Sequence, residues 1–182
     1  MSVAENILEA AVARLVADGP EAVSISGVAA GSGVSRPTVY AHFGSREQLL
    51  SQALQRAATR VITHVTEWAR GASTAADYVV EMVVAARAEF RSQPAMAPIA
   101  FPARGGILFD GNALGPGALA MARSFLEPVE ELEPRLSAEL EEIAEVCTRW
   151  LLSVVLFDSE RSSTDERLRG LLHRRLVPAL GL

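Results

Sequence analysis

The chain has 182 residues, 49% hydrophobic and 21% charged, with aromatic residues at only 5%. That is enough apolar material for one or two domains with an aliphatic, alanine-rich core, and it favours helix over strand. All 17 basic residues are Arg and the formal net charge is −5, a balance that, taken whole, argues against a nucleic-acid binder.

The single cysteine, Cys147, excludes an internal disulfide framework and a cysteine-rich zinc site, and it fits a reducing, cytoplasmic setting. The longest apolar run, around Trp150 to Phe157, falls far short of the ~18 residues of a membrane span. No charged n-region followed by an apolar stretch opens the chain, so neither a secretory signal nor a membrane partner is expected.

Apolar spacing predicts helix nearly throughout. Ile7, Leu8, Ala11, Val12, Leu15 and Val16 recur at helical intervals, and Asp18-Gly19-Pro20 stops them. A short helix starts after Ser24 or Ser26 and reaches about Ser32. Gly33 turns the chain, and Ser35 caps a second short helix to about Phe43. Ser45-Arg46-Glu47-Gln48 reads as a capping box opening a long helix to about Arg70. Ser73 or Thr74 caps the next helix, carrying Val79, Met82, Val83, Ala86 and Phe90. Residues 94–117 are rich in Pro and Gly and read as an irregular loop, functional or mobile. Helix resumes near Ala118 and reaches the Pro128 region. Another runs from about Pro134 to Phe157, with Leu136, Leu140, Ile143, Cys147, Trp150 and Val154 on a heptad-like seam. Ser163-Thr164-Asp165-Glu166 reads as a capping box before a last helix through Leu168, Leu172, Leu176 and Leu180. The expected fold class is therefore all-α: a three-helix head at 1–44 and a larger helical bundle at 45–182.

The stretch from Ser24 to Phe43 carries the chemistry. Two short helices around a glycine turn make a helix-turn-helix, with Val28, Ala29, Val34, Val39 and Phe43 between them. The second helix then presents Ser35, Arg36, Pro37, Thr38, Tyr40 and His42. Pro37 falls in its first turn, where a missing N–H costs little. Arg36 has the reach for a bidentate contact to a guanine edge, or for a phosphate.

This head resembles the TetR (tetracycline-repressor-like) family of transcriptional regulators. The resemblance rests on Gly19, Ser24-Ile25, Val28-Ala29, Gly33-Val34-Ser35, Thr38-Val39-Tyr40, His42-Phe43, Arg46-Glu47 and Leu49-Leu50. It implies a DNA-binding set of Ser24, Ser26, Ser35, Arg36, Pro37, Thr38, Tyr40, His42 and Arg46. Ser35 to Thr38 would face the major groove, while Ser24 or Ser26, Tyr40, His42 and Arg46 would meet phosphates. Two positions depart from the family pattern. Gly27 stands where an acidic residue often completes a capping box, and Pro37 replaces a small residue.

The heptad-like seam suits the last two helices either to the chain's own core or to a homodimer with Leu140, Ile143, Cys147, Val154, Leu168, Leu172 and Leu176 at its interface, and the resemblance implies the homodimer. It implies a small-molecule effector as well. The large apolar side chains available to bind an apolar or amphipathic one are Trp68, Phe90, Met96, Phe101, Phe109, Met121, Phe125 and Trp150. Arg87, Arg91, Arg104 and Arg123 are alternatives for its polar end. The expected partners are thus an operator in double-stranded DNA, the effector and a second copy. No nucleophile elbow, P-loop or zinc-helix motif is present, so no enzyme, cofactor or metal is expected. The residues by themselves also accommodate a helical small-molecule-binding or interaction protein whose head reads no operator.

The charge average hides a division. Residues 127–145 hold eight acids and one Arg, whereas no carboxylate lies between Glu21 and Glu47. The acidity belongs to the distal part, and the stretch expected at DNA is free of it.

Overall fold

The computed structural model describes residues 1–92, 114–157 and 159–182. Nine α-helices lie among these described residues: α1 (Val3–Asp18), α2 (Ile25–Ser32), α3 (Arg36–Phe43), α4 (Arg46–Ala69), α5 (Ala75–Ser92), α6 (Pro116–Ser124), α7 (Glu127–Leu132), α8 (Leu140–Leu156) and α9 (Asp165–Ala179). Single 3₁₀ turns occupy Pro20–Ala22 and Pro134–Leu136. The all-α expectation holds.

The first compact unit runs from Met1 to Arg60. It extends past residue 44 because α4 opens with an apolar face, Leu49, Leu50, Ala53, Leu54 and Ala57, all of it buried. Ile7, Ala11 and Leu15 of α1, Val28 and Ala29 of α2, and Val39 and Phe43 of α3 complete that core. Two polar ties hold the elements in place. Asn6 Nδ2 donates to the Ser32 carbonyl at 2.8 Å, and Glu9 of α1 receives the guanidinium groups of Arg56 and Arg60. The Arg60 hydrogen bond is the largest influence holding the Glu9 carboxyl below its usual range.

The second unit takes in Val61–Ser92 and the described residues from 114 onward. Its centre is α5, ten of whose residues are buried, from Ala75 to Arg87. A helix apolar on nearly every side needs cover all round; α7, α8 and α9 all pack on it. The Tyr78 hydroxyl donates to the Phe125 carbonyl at 2.8 Å, and burial pushes its pKa up to about 12.

Three expected features differ. The helix expected from near Ala118 to the Pro128 region is two helices, Pro116–Ser124 and Glu127–Leu132. The helix expected from Pro134 begins at Leu140. Ahead of it, Ser137 and Glu139 donate three residues back, to Pro134 and Leu136, and the Ser137 hydroxyl also takes the Pro134 carbonyl at 2.8 Å. Those tighter bonds use the carbonyls an α-turn would need. The capping box expected at Ser163 to Glu166 is instead a simple cap: Thr164 Oγ1 accepts from the Arg167 amide, so the third helical position is Arg167, which cannot reciprocate. A true capping box opens α1, between Ser2 and Glu5.

Candidate nucleic-acid interface

The geometry of the head follows from local signals. The Ser24 hydroxyl accepts from the Gly27 amide at 3.1 Å and starts α2. Gly33, at φ 70°, ends α2 in the left-handed region that glycine adopts without strain. Two residues on, Ser35 Oγ accepts from the Thr38 amide at 3.3 Å, starts α3 and lies 2.8 Å from Thr38 Oγ1. Arg36 and Pro37 are then the first two helical residues.

Burying Val39 and Phe43 decides which side of α3 faces out. Ser35, Arg36, Pro37, Tyr40 and His42 are exposed and Thr38 is half-buried. Tyr40 stands out at 52% exposure, which has no packing benefit for a large aromatic side chain within the head. Ser26 is exposed at the start of α2 and Ser24 half-buried beside it.

Arg46 is placed otherwise than as a free phosphate ligand. Its Nε donates to the Val23 carbonyl at 2.8 Å and Nη2 to Pro20 at 2.9 Å, with Glu21 at 3.6 Å. It clamps the turn before α2 to the start of α4.

A residue that periodicity alone does not point to lies at the same edge. A Cβ on Gly27 would come within 3.0 Å of the Arg14 guanidinium, so Arg14 of α1 reaches over the N-terminal turn of α2, next to the Ser24 cap. The Arg14 side chain makes no hydrogen bond or ion pair among the described residues. A cation at a helix N-terminus opposes the helix dipole; an anion bound there would reverse that penalty.

The residues expected at an effector are not gathered into one apolar cavity by the described part of the chain. Trp68 is 51% exposed, with its indole N–H donating to Glu81 at 3.1 Å. Phe90, Met121, Phe125 and Trp150 are half-buried, Phe125 and Trp150 against the distal core. Met96, Phe101 and Phe109, with Arg104, lie outside the described residues. An open depression on α9, lined by Glu160, Arg161, Glu166, Arg167, Gly170 and Arg174, is charged.

The residues expected at a dimer interface are covered within the single chain. Leu140, Ile143, Cys147, Val154, Leu168, Leu172 and Leu176 are all at most 5% exposed within the single chain. α8 and α9 both pack on α5, and α8 packs on α6 as well. Burial also pushes the Cys147 thiol up to about 12. What α8 leaves uncovered is its far end, Leu156 at 55% and Phe157 at 72% exposure, with Leu152 and Val155 half-buried between them and the core.

Residues 7–53 match the profile of bacterial regulatory proteins, tetR family. Solved structures are similar along nearly the whole chain. One is the TetR family repressor AlkX from Dietzia sp. strain DQ12-45-1b, implicated in biodegradation of n-alkanes: 18% identity, TM-score 0.63, covering 99% of this chain and 96% of that one. Another is the fatty acid degradation regulator FadR from Bacillus halodurans: 17% identity, TM-score 0.56, covering 99% and 95%. At such identities the likeness shows the fold. No curated protein matches the chain. Among the described residues no helix is long and apolar enough to cross a membrane.

Proposed function

We propose that this chain, whose residues 7–53 match the profile of bacterial regulatory proteins of the tetR family, is a one-component repressor that leaves its operator when a small apolar or amphipathic molecule binds. The observation that carries the reading is the outer face of α3. Arg36, Tyr40 and His42 are exposed on it, in a stretch from Ala22 to Arg46 without a carboxylate. Arg36 reads a base edge; Tyr40, His42, Ser26 and Arg14 hold phosphates and set register. DNA reading is assigned to the head at 1–44, which lies within the compact unit that runs on to Arg60, and ligand binding and dimerisation to the rest of 45–182.

A homodimer presents the head twice, to successive major grooves of a pseudo-palindromic site. Its contact includes the uncovered apolar end of α8, Leu156 and Phe157. The effector's apolar character is supported by the alkane and fatty acid connections in the names of the two similar structures. Effector and operator then oppose one another, and the coupling is reciprocal, so DNA weakens effector binding by the same factor.

The test is binding of the full chain to DNA flanking its own gene across a salt series. One preferred site and a steep fall of log affinity with log salt are expected. Salt-insensitive or absent binding would leave the alternative of a helical binding protein that reads no operator.

A further inference from the structure

The packing of α9 on α5 poses a problem of register. The buried row of α9 is Leu168, Leu172 and Leu176, closed by Leu180 just past the helix end. It repeats one residue type every four positions. Sliding α9 by one turn puts leucine where leucine was, so apolar packing barely distinguishes the two arrangements.

Charged pairs do distinguish them. Three rungs tie the antiparallel helices. Arg87 Nη2 donates to Asp165 Oδ1 at 2.6 Å. Glu81 receives Arg169 through Nε at 2.6 Å and Nη2 at 2.9 Å. Asp77 Oδ1 lies 3.5 Å from His173 Nε2. The polarity reverses between rungs: the first has its basic group on α5, the others on α9.

Arg87 is the unusual member. It is fully buried, its Nη1 bonds the Ser162 carbonyl, and its Nε has no acceptor among the described residues. A buried, incompletely satisfied guanidinium is a poor source of stability. Polar groups inside an apolar seam are best attested as devices that choose a register.

We propose that Arg87 is the register-setting residue of the distal unit, excluding a one-turn slip of α9 along α5. In one slipped register Asp165 comes opposite Arg91 and Glu81 opposite His173, both attractive, but Arg87 meets Arg169 in a buried place. In the opposite slip Glu81 meets Asp165. Each alternative thus contains a like-charge pair, and the first is excluded by Arg87 alone.

The test is pulsed dipolar spectroscopy on full-length chain spin-labelled at exposed positions 88 and 175, as Ala88→Cys with Arg175→Cys. With Arg87 present, one distance is expected. Arg87→Met removes the clash and adds a second distance, shorter by about 5 Å, the pitch of one turn. The pair swap Glu81→Arg with Arg169→Glu guards against misfolding, since it lies at the partly exposed rung and keeps its ion pair in the native register. In the first slipped register the carboxylate introduced at position 169 comes opposite Arg87, so the swap variant too yields the shorter distance; a longer distance in its place would mark the opposite slip, which the swap also relieves at position 81, and would overturn the assignment to Arg87. A single unchanged distance in the swap variant overturns the proposal. If α9 also helps place the dimer face, a consequence resting on the proposed function, the swap variant loses operator affinity about tenfold. Two distances with unchanged operator affinity leave the register role standing and remove the link to DNA.

Discussion

The Arg46 guanidinium reaches back 23 residues to the Val23 carbonyl, at 2.8 Å from Nε, and with a second bond to Pro20 it ties the start of α4 to the turn before α2. That turn fixes where Ser24 caps α2, and through α2 it fixes α3. Arg46→Ala therefore removes two charge-assisted hydrogen bonds from a half-buried place. Such bonds contribute about 1.5–3 kcal/mol each, reduced by solvent at this partly exposed group. The expected loss is about 1–3 kcal/mol of stability, read as a lower midpoint in urea. A variant with wild-type stability and only weaker DNA binding would return Arg46 to a purely phosphate-binding role.

Arg36 and Tyr40 separate base reading from phosphate holding. Arg36→Ala should lower operator affinity by about 1–3 kcal/mol while non-operator affinity changes little. Tyr40→Phe, by contrast, should weaken binding to all sequences alike. Competition with unrelated duplex checks both, and equal losses on both DNAs for Arg36→Ala would sink the base contact.

The two apolar sets of the last helices should respond differently. Leu172 is fully buried, so Leu172→Ala leaves a cavity in the chain's own core and costs about 2–5 kcal/mol. Phe157→Glu, at a residue 72% exposed, should leave urea stability of the subunit nearly unchanged and shift sedimentation from dimer to monomer. A dimer that survives Phe157→Glu together with Leu156→Glu would move the interface elsewhere.

The head was legible because its signals are local. Ser24 and Ser35 cap, Gly33 turns, and Val39 and Phe43 show which side of α3 is buried; each acts within a few residues of itself. The distal seams were legible as buried faces but not as to what buries them. Leu140, Ile143 and Cys147 have the same spacing whether they face the chain's own core or a second copy, so spacing alone does not say which. Long arginines were the least legible. Arg46 and Arg14 find their neighbours 23 and 13 residues away in sequence, and no periodicity records such reach.

Acid should loosen the distal unit through one rung of its ladder. The hydrogen bond from Arg169 is the largest influence holding the Glu81 carboxyl below 4.5, and the Trp68 indole N–H adds to it. A carboxyl lowered in the folded chain contributes stability that is present above its ordinary pKa and lost as pH falls through the folded one. Stability should therefore decline below about pH 4.5, and Glu81→Gln should flatten that decline. Urea midpoints between about pH 3 and 7 check it; parallel curves for the two proteins would show that Glu81 carries none of the dependence.

Arg14 offers the sharpest electrostatic prediction. Its guanidinium lies over Gly27 at the N-terminal turn of α2, where it gains nothing from the helix dipole and would gain from a phosphate. Arg14→Gln should leave the head's fold intact, weaken operator and non-operator binding by similar factors, and reduce the slope of log affinity against log salt by about 1 per head. The sequence preference should not change. The same measurement on Arg36→Ala should alter preference more than slope, so the pair distinguishes a group that positions the head from one that reads the site. An unchanged salt slope in Arg14→Gln would mean that its charge meets no phosphate.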